Sequence, residues 1–253
     1  MLEAEIKQRK KDRDVLLMTH IVLGYPNFDD SLRIVEQMVE AGVDLMELQI
    51  PFSEPIADGQ VILHANQKAL VAGATVERCF ELASRLCREY PIPFVFMSYF
   101  NIAWKRGVER FARDSRQAGL RGAIIPDLPI EEASQLLAAF QAAQLDPLFI
   151  FSPNTASQRM HQITAHARGF IYCVARKGVT GSATEFGLLG DYLRRCREAT
   201  QLPLALGFGV KSREDVAAIS GLADIAVIGS ETIRIVDRDG VSGVGPFIRG
   251  LRP

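Results

Sequence analysis

Short apolar runs rich in β-branched and aromatic residues recur eight times along the chain. They are LLMTHIVLG (16–24), VDLMELQI (43–50), FVFMSY (94–99), GAIIPD (122–127), PLFIFS (147–152), FIYCVA (170–175), PLALGFG (203–209) and DIAVIGS (224–230). Runs this short and this continuously apolar read as strands buried on both faces. The segments between them carry helical spacing. In DDSLRIVEQMVEAG, Leu32, Val35, Met38 and Val39 form one stripe, and in ATVERCFELASRLCREY the stripe is Val76, Cys79, Phe80, Leu82, Ala83 and Leu86. EEASQLLAAFQAAQ and SREDVAAISG follow the same rule, and Ser212 with Asp215 three residues on has the form of a helix N-cap. The opening stretch, MLEAEIKQRKKDRD, predicts a short helix leading into the fold.

Eight strand–helix alternations over 253 residues predict a (β/α)8 barrel. The competing architecture is a doubly wound open sheet, which carries a GxGxxG turn after its first strand. Here the first run ends in LGYPN, which is no such fingerprint. No Gly-, Pro- or Ser-rich linker divides the chain, so one barrel domain is expected over 1–253.

Composition narrows the function classes. The formal net charge is −1, which gives no electrostatic pull toward nucleic acid or an anionic membrane. No apolar run approaches the roughly 20 residues that span a bilayer, and the charged N-terminus lacks the apolar core of a signal peptide. Cys79 and Cys87 fall in one predicted helix, about 12 Å apart by helical rise, too far for a disulfide. Reduced thiols and a cytoplasmic setting are expected.

In a barrel of this kind, chemistry belongs at the C-terminal ends of the strands. Those ends collect the polar and glycine-rich residues. The second run passes into ELQIPFSEPIADG (47–59), which places Glu47 inside an apolar strand and Asp58 in the loop beyond it. By itself Glu47 reads as a buried acid with a structural partner or as a proton-transfer group, and Asp58 as an Asp-Gly turn residue or a site acid. Gly178–Gly181, Gly207–Gly209 and Gly229-Ser230 follow the last three strands. Such glycines make tight βα turns; they also bare backbone N–H groups, and this corner of a barrel commonly holds a phosphate.

Taken together, ELQIPFSEPIADG, PDLPIEE, ARKGVTG, GFGV and the final Gly229-Ser230, in that order and at compatible spacing, resemble the α subunit of tryptophan synthase through nearly the whole chain. That resemblance implies a (β/α)8 barrel that cleaves indole-3-glycerol phosphate to indole and glyceraldehyde 3-phosphate. It implies no metal and no organic cofactor, and a pyridoxal-phosphate β subunit as partner. It assigns Glu47 as the proton shuttle of a retro-aldol cleavage and Asp58 as the acceptor of the indole N–H. Tyr172 is placed beside the glutamate, and Thr180 and Gly181 on a closing loop. Phe208, Gly209, Gly229 and Ser230 fall in the phosphate and indole pocket, and Ile62, Met97, Tyr99 and Ile124 along its wall. Asp127 falls near the β-subunit face.

The departures gather at the first two strands. Gln49 replaces a glycine, Glu54 an aspartate and Gln60 a proline, and His20 stands where the family carries an aromatic ring against the indole. A histidine there stacks on a ring, bonds a polar substituent, or is a satisfied core residue. A free-standing lyase that supplies indole or a substituted indole elsewhere would use the same barrel and acids; a catalytically idle partner-binding subunit would be marked by loss of either acid, and both are present. A phosphorylated-sugar isomerase would account for the glycine loops but not for PFSEPIADG.

Overall fold

The computed structural model describes residues 1–175, 183–207 and 209–252. Eight parallel strands close into a barrel in sequence order: β1 (Leu16–Val22), β2 (Leu45–Gln49), β3 (Phe94–Met97), β4 (Gly122–Ile124), β5 (Asp146–Phe151), β6 (Ile171–Val174), β7 (Leu204–Gly207) and β8 (Ile225–Ile228). Seven fall within one of the eight apolar runs, and β5 begins one residue before its run, at Asp146. The runs extend past the strands at their C-terminal ends, where the chain turns into the loops. GAIIPD, for example, stays in the sheet only to Ile124, because Pro126 has no N–H to give a ladder.

Strand side chains alternate between two cores. Leu16, Met18, Leu45, Val95, Met97, Ile124, Leu148, Ala205, Ile225 and Val227 fill the barrel interior. Their sequence neighbours, such as Leu17, Met46, Leu48, Phe94, Phe96, Leu204 and Leu206, pack outward against the helices. Because both faces are covered, the runs are continuously apolar rather than alternating.

The N-terminal helix, Leu2–Arg9, does more than lead into the fold. Leu2 and Ile6 are buried in the interior cluster, and the Leu2 N–H donates to Asp146 Oδ2 at 3.0 Å. Since Asp146 begins β5, this helix plugs the N-terminal mouth of the barrel. A second anchor at that end is Asp44, just before β2. Its carboxylate accepts from the Leu17 N–H (2.8 Å) and Arg252 (2.9 Å), and it pairs with Arg13.

Among the helices that the sequence pattern did not mark, two lie next to the loops after β2 and β3. Gln60–Val71 follows the loop after β2, and Phe100–Arg106 follows β3 directly. The first buries only Ala65, Asn66 and Ala69, so it shows no apolar stripe. The expected cap at Ser212 is present: its side chain accepts from the Asp215 N–H at 3.3 Å.

Candidate active site

The C-terminal mouth of the barrel is built first by strand parity. Glu47 is two residues beyond inward-facing Leu45, and in register it stands opposite His20 of β1 and Val95 of β3. The carboxyl is 5% exposed, and burial pushes its pKa up to about 7; the neighbouring His20 opposes that rise and Asp58 adds to it. Glu47 Oε2 has no hydrogen-bond partner among the described residues. The group is thus a carboxyl able to carry or release a proton near neutral pH.

Tyr172 enters from β6. Its hydroxyl is held well above its ordinary pKa by burial and by the negative charges of Glu47 and Asp58, so it stays a neutral O–H. β7 makes room for the ring: a Cβ on Gly207 would lie 3.0 Å from Tyr172 Cε1 and 3.1 Å from its Oη. The glycine is there because the tyrosine is.

Asp58 is brought back over the barrel by the loop after β2. The Phe52 N–H donates to Asn66 Oδ1 at 2.8 Å, and the Ala57 N–H donates to Tyr99 Oη at 3.0 Å. Phe52 stacks on the Tyr99 ring, with centroids 5.1 Å apart and planes at 24°. The Tyr99 hydroxyl then donates to Asp58 Oδ2 at 3.0 Å, and Gln49 Nε2 donates to the same oxygen at 2.7 Å. Gln49 is fully buried, and its Oε1 lies 2.7 Å from His20 Nε2. Glu47, Asp58, His20, Tyr99 and Tyr172 therefore meet at one mouth. Met97 and Ile124 line the interior beneath them, whereas Ile62 is half-buried against the outer core.

The far side of the mouth carries the glycine loops. Gly209 adopts φ +69°, a left-handed conformation, with open space where a Cβ would be; conformation rather than crowding calls for glycine. Gly229 caps the N-terminus of the helix Ser230–Asp239, whose dipole and free N–H groups favour an anion. Arg234, which the sequence pattern did not single out, donates to Ser230 Oγ at 3.2 Å and to Glu231 Oε2 at 2.9 Å, so its charge at this end is paired. Thr180, Gly181 and Phe208 lie outside the described residues. Asp127 accepts from the Phe100 N–H at 2.9 Å and borders an open cavity with Phe100, Asn101 and exposed Trp104. Among the described residues, no group of three or more His, Cys, Asp or Glu could hold a metal ion, and no helix is long and apolar enough to cross a membrane.

The family model described as tryptophan synthase alpha chain matches residues 6–243. The chain belongs to the tryptophan synthase alpha chain family. Its similarity to a tryptophan synthase alpha chain of Syntrophotalea carbinolica is 59% identity over 253 residues, covering 100% of both chains. To that of Desulforapulum autotrophicum it is 58% over 252 residues, covering 99% of this chain and 100% of the other. Among solved structures, a chain of Mycobacterium tuberculosis tryptophan synthase superposes with a TM-score of 0.91 at 29% identity, covering 99% of this chain and 96% of that one. A chain of the Pyrococcus furiosus tryptophan synthase complex superposes at 0.86 and 28% identity, covering 93% and 97%. The eight-stranded barrel is therefore the tryptophan synthase alpha fold.

Proposed function

We propose that the two acids at the barrel mouth carry out the carbon–carbon lyase reaction of the tryptophan synthase alpha chain, the cleavage of indole-3-glycerol phosphate to indole and glyceraldehyde 3-phosphate in tryptophan biosynthesis. The observation that supports this assignment best is a buried Glu47 with a pKa of about 7 facing the same mouth as a hydrogen-bonded Asp58.

The bond to be broken joins indole C3 to the glycerol chain. It breaks once C3 is protonated, because the ring then accepts the bonding electrons as it regains aromaticity. Protonated Glu47 gives its proton to C3. The resulting positive charge spreads to the ring nitrogen, where Asp58 accepts the N–H hydrogen bond and stabilises it. Ionised Glu47 then takes the proton of the hydroxyl beside the breaking bond. The C–C bond cleaves, the hydroxyl carbon becomes the aldehyde, indole departs, and Glu47 is left protonated as it began. Tyr172 orients Glu47. Met97, Ile124 and Tyr99 wall the indole. Gly209, Gly229 and Ser230 take the phosphate through backbone N–H groups.

The chain works with a tryptophan synthase β subunit, and a cytoplasmic setting suits both. Two large apolar side chains support a partner on this face: Ile56, in the loop after β2, is 81% exposed, and Trp104, after β3, is 60% exposed.

The test is indole release from indole-3-glycerol phosphate by the purified chain, alone and with a tryptophan synthase β subunit added. Slow release that rises sharply with the partner is expected. Absence of release under both conditions would overturn the assignment, and fast release indifferent to the partner would overturn the role of the partner face.

A further inference from the structure

We propose that Gln49 is a positioning residue for Asp58, held in its working orientation by His20, so that one carboxylate oxygen is reserved for the substrate. This rests on the lyase reading given above. The direction of the hydrogen bonds follows from donor chemistry. An ionised Asp58 only accepts, so the Gln49 group 2.7 Å from Oδ2 is the amide NH2. That turns the Gln49 carbonyl toward His20, and the His20 nitrogen 2.7 Å away, Nε2, is the one that carries a proton. Every donor in the row His20→Gln49→Asp58 thus points toward the negative charge, an arrangement in which each bond polarises the next.

The row is also selective about where it ends. Gln49 and Tyr99 both donate to Oδ2. With its plane fixed by two donors on one oxygen, the carboxylate presents Oδ1 to the ring N–H, and it pays no reorientation when charge develops there. The geometry costs the fold something, since it puts an amide and an imidazole into the barrel: Gln49 is 0% and His20 4% exposed. Both side chains are inward because they alternate with Leu48 and Ile21, and they sit on neighbouring strands, with His20 in register with Glu47 and Val22 with Gln49. Among the described residues, a glycine at position 49 would leave Asp58 Oδ2 with the Tyr99 hydroxyl as its side-chain donor.

The test is a double-mutant cycle in steady-state cleavage of indole-3-glycerol phosphate, with the β subunit present. Gln49→Met keeps the side-chain volume in an interior already lined by Met18 and Met97, and Gln49→Leu is the second variant should the first fold poorly. In the Asp58 background, Gln49→Met should lower kcat about 10- to 100-fold, the worth of a hydrogen bond to a charged group, with KM changed less than twofold. In an Asp58→Asn background the same change should alter kcat less than twofold. Equal losses in both backgrounds would show a merely structural residue and overturn the proposal, as would an unchanged kcat in the Asp58 background. An inactive wild type would instead overturn the lyase reading itself, and with it this inference; an active wild type with an indifferent Gln49→Met overturns this inference alone.

Discussion

His20 on β1 and Glu47 on β2 are register partners, both buried, at the mouth of an otherwise apolar barrel. Their proximity sets the acid's behaviour. Burial alone would drive the Glu47 carboxyl far from water-like values; His20 pulls it back, and the outcome is a pKa of about 7. A group so poised can both give and take a proton at neutral pH, which a retro-aldol cleavage asks of a single residue.

In the proposed mechanism the first step uses protonated Glu47, so kcat/KM for indole-3-glycerol phosphate should be flat just below pH 7 and fall above it. The limiting decline is about tenfold per pH unit. A pH profile of the α reaction checks this, and a rate that climbs steadily from pH 7 to 9 would contradict it.

The same shift makes a stability prediction with a definite sign. The Glu47 pKa is raised from 4.5 to about 7 in the fold. Below pH 4.5 the carboxyl is protonated in folded and unfolded chains alike, and nothing is lost. Between 4.5 and 7 the unfolded chain releases the proton first, so stability falls as pH rises, and the loss levels off above 7. Glu47→Gln removes the titration. Its stability relative to wild type should therefore rise across that window, by on the order of 3 kcal/mol in total, as read by urea unfolding at pH 4.5 and pH 8.

Gly207→Ala places a methyl group 3.0 Å from the Tyr172 ring. The ring must shift by a few tenths of an ångström, so several-fold loss of kcat and about 1–2 kcal/mol of destabilisation are expected. Combining it with Tyr172→Ala should abolish the extra stability loss, since the clash goes with the ring. Additive losses in the double variant, measured by denaturant unfolding, would show that Gly207 serves something else.

At the opposite end of the barrel, Asp44 anchors the Leu17 N–H, Arg252 and Arg13 with a side chain only 2% exposed. Asp44→Ala should cost about 2–3 kcal/mol in denaturant unfolding, while kcat per folded molecule stays unchanged. The arginines are partly exposed and rehydrate, which keeps the figure below that of a fully buried pair.

The barrel was legible because its strands are buried on both faces, and so each wrote itself as an unbroken apolar run. LLMTHIVLG and VDLMELQI each contain the strand that the runs predicted, the first overshooting it at the C-terminal end and the second at both ends. The helix Gln60–Val71 was not legible, because it buries alanines and an asparagine rather than an apolar stripe. Glu47 and Asp58 stood out as acids in the wrong places. Gln49 stood out only as a departure from the family pattern. Its partners are nine residues ahead and twenty-nine behind, and the row His20–Gln49–Asp58 exists only once strand register and the returning loop are known. Arg234 was hidden for the same reason: it reaches Ser230 one helical turn back, a contact that needs the helix to start at Ser230.

The most direct measurement compares wild type with Glu47→Gln, each with a tryptophan synthase β subunit, for release of indole and glyceraldehyde 3-phosphate from indole-3-glycerol phosphate. Binding of a non-cleavable indolyl-alkyl phosphate is measured alongside. Equimolar products from wild type, with at least a hundredfold lower kcat in Glu47→Gln and near-equal affinity for the phosphate ester, is the predicted result. A Glu47→Gln chain that releases indole at close to the wild-type rate would contradict the account at its centre.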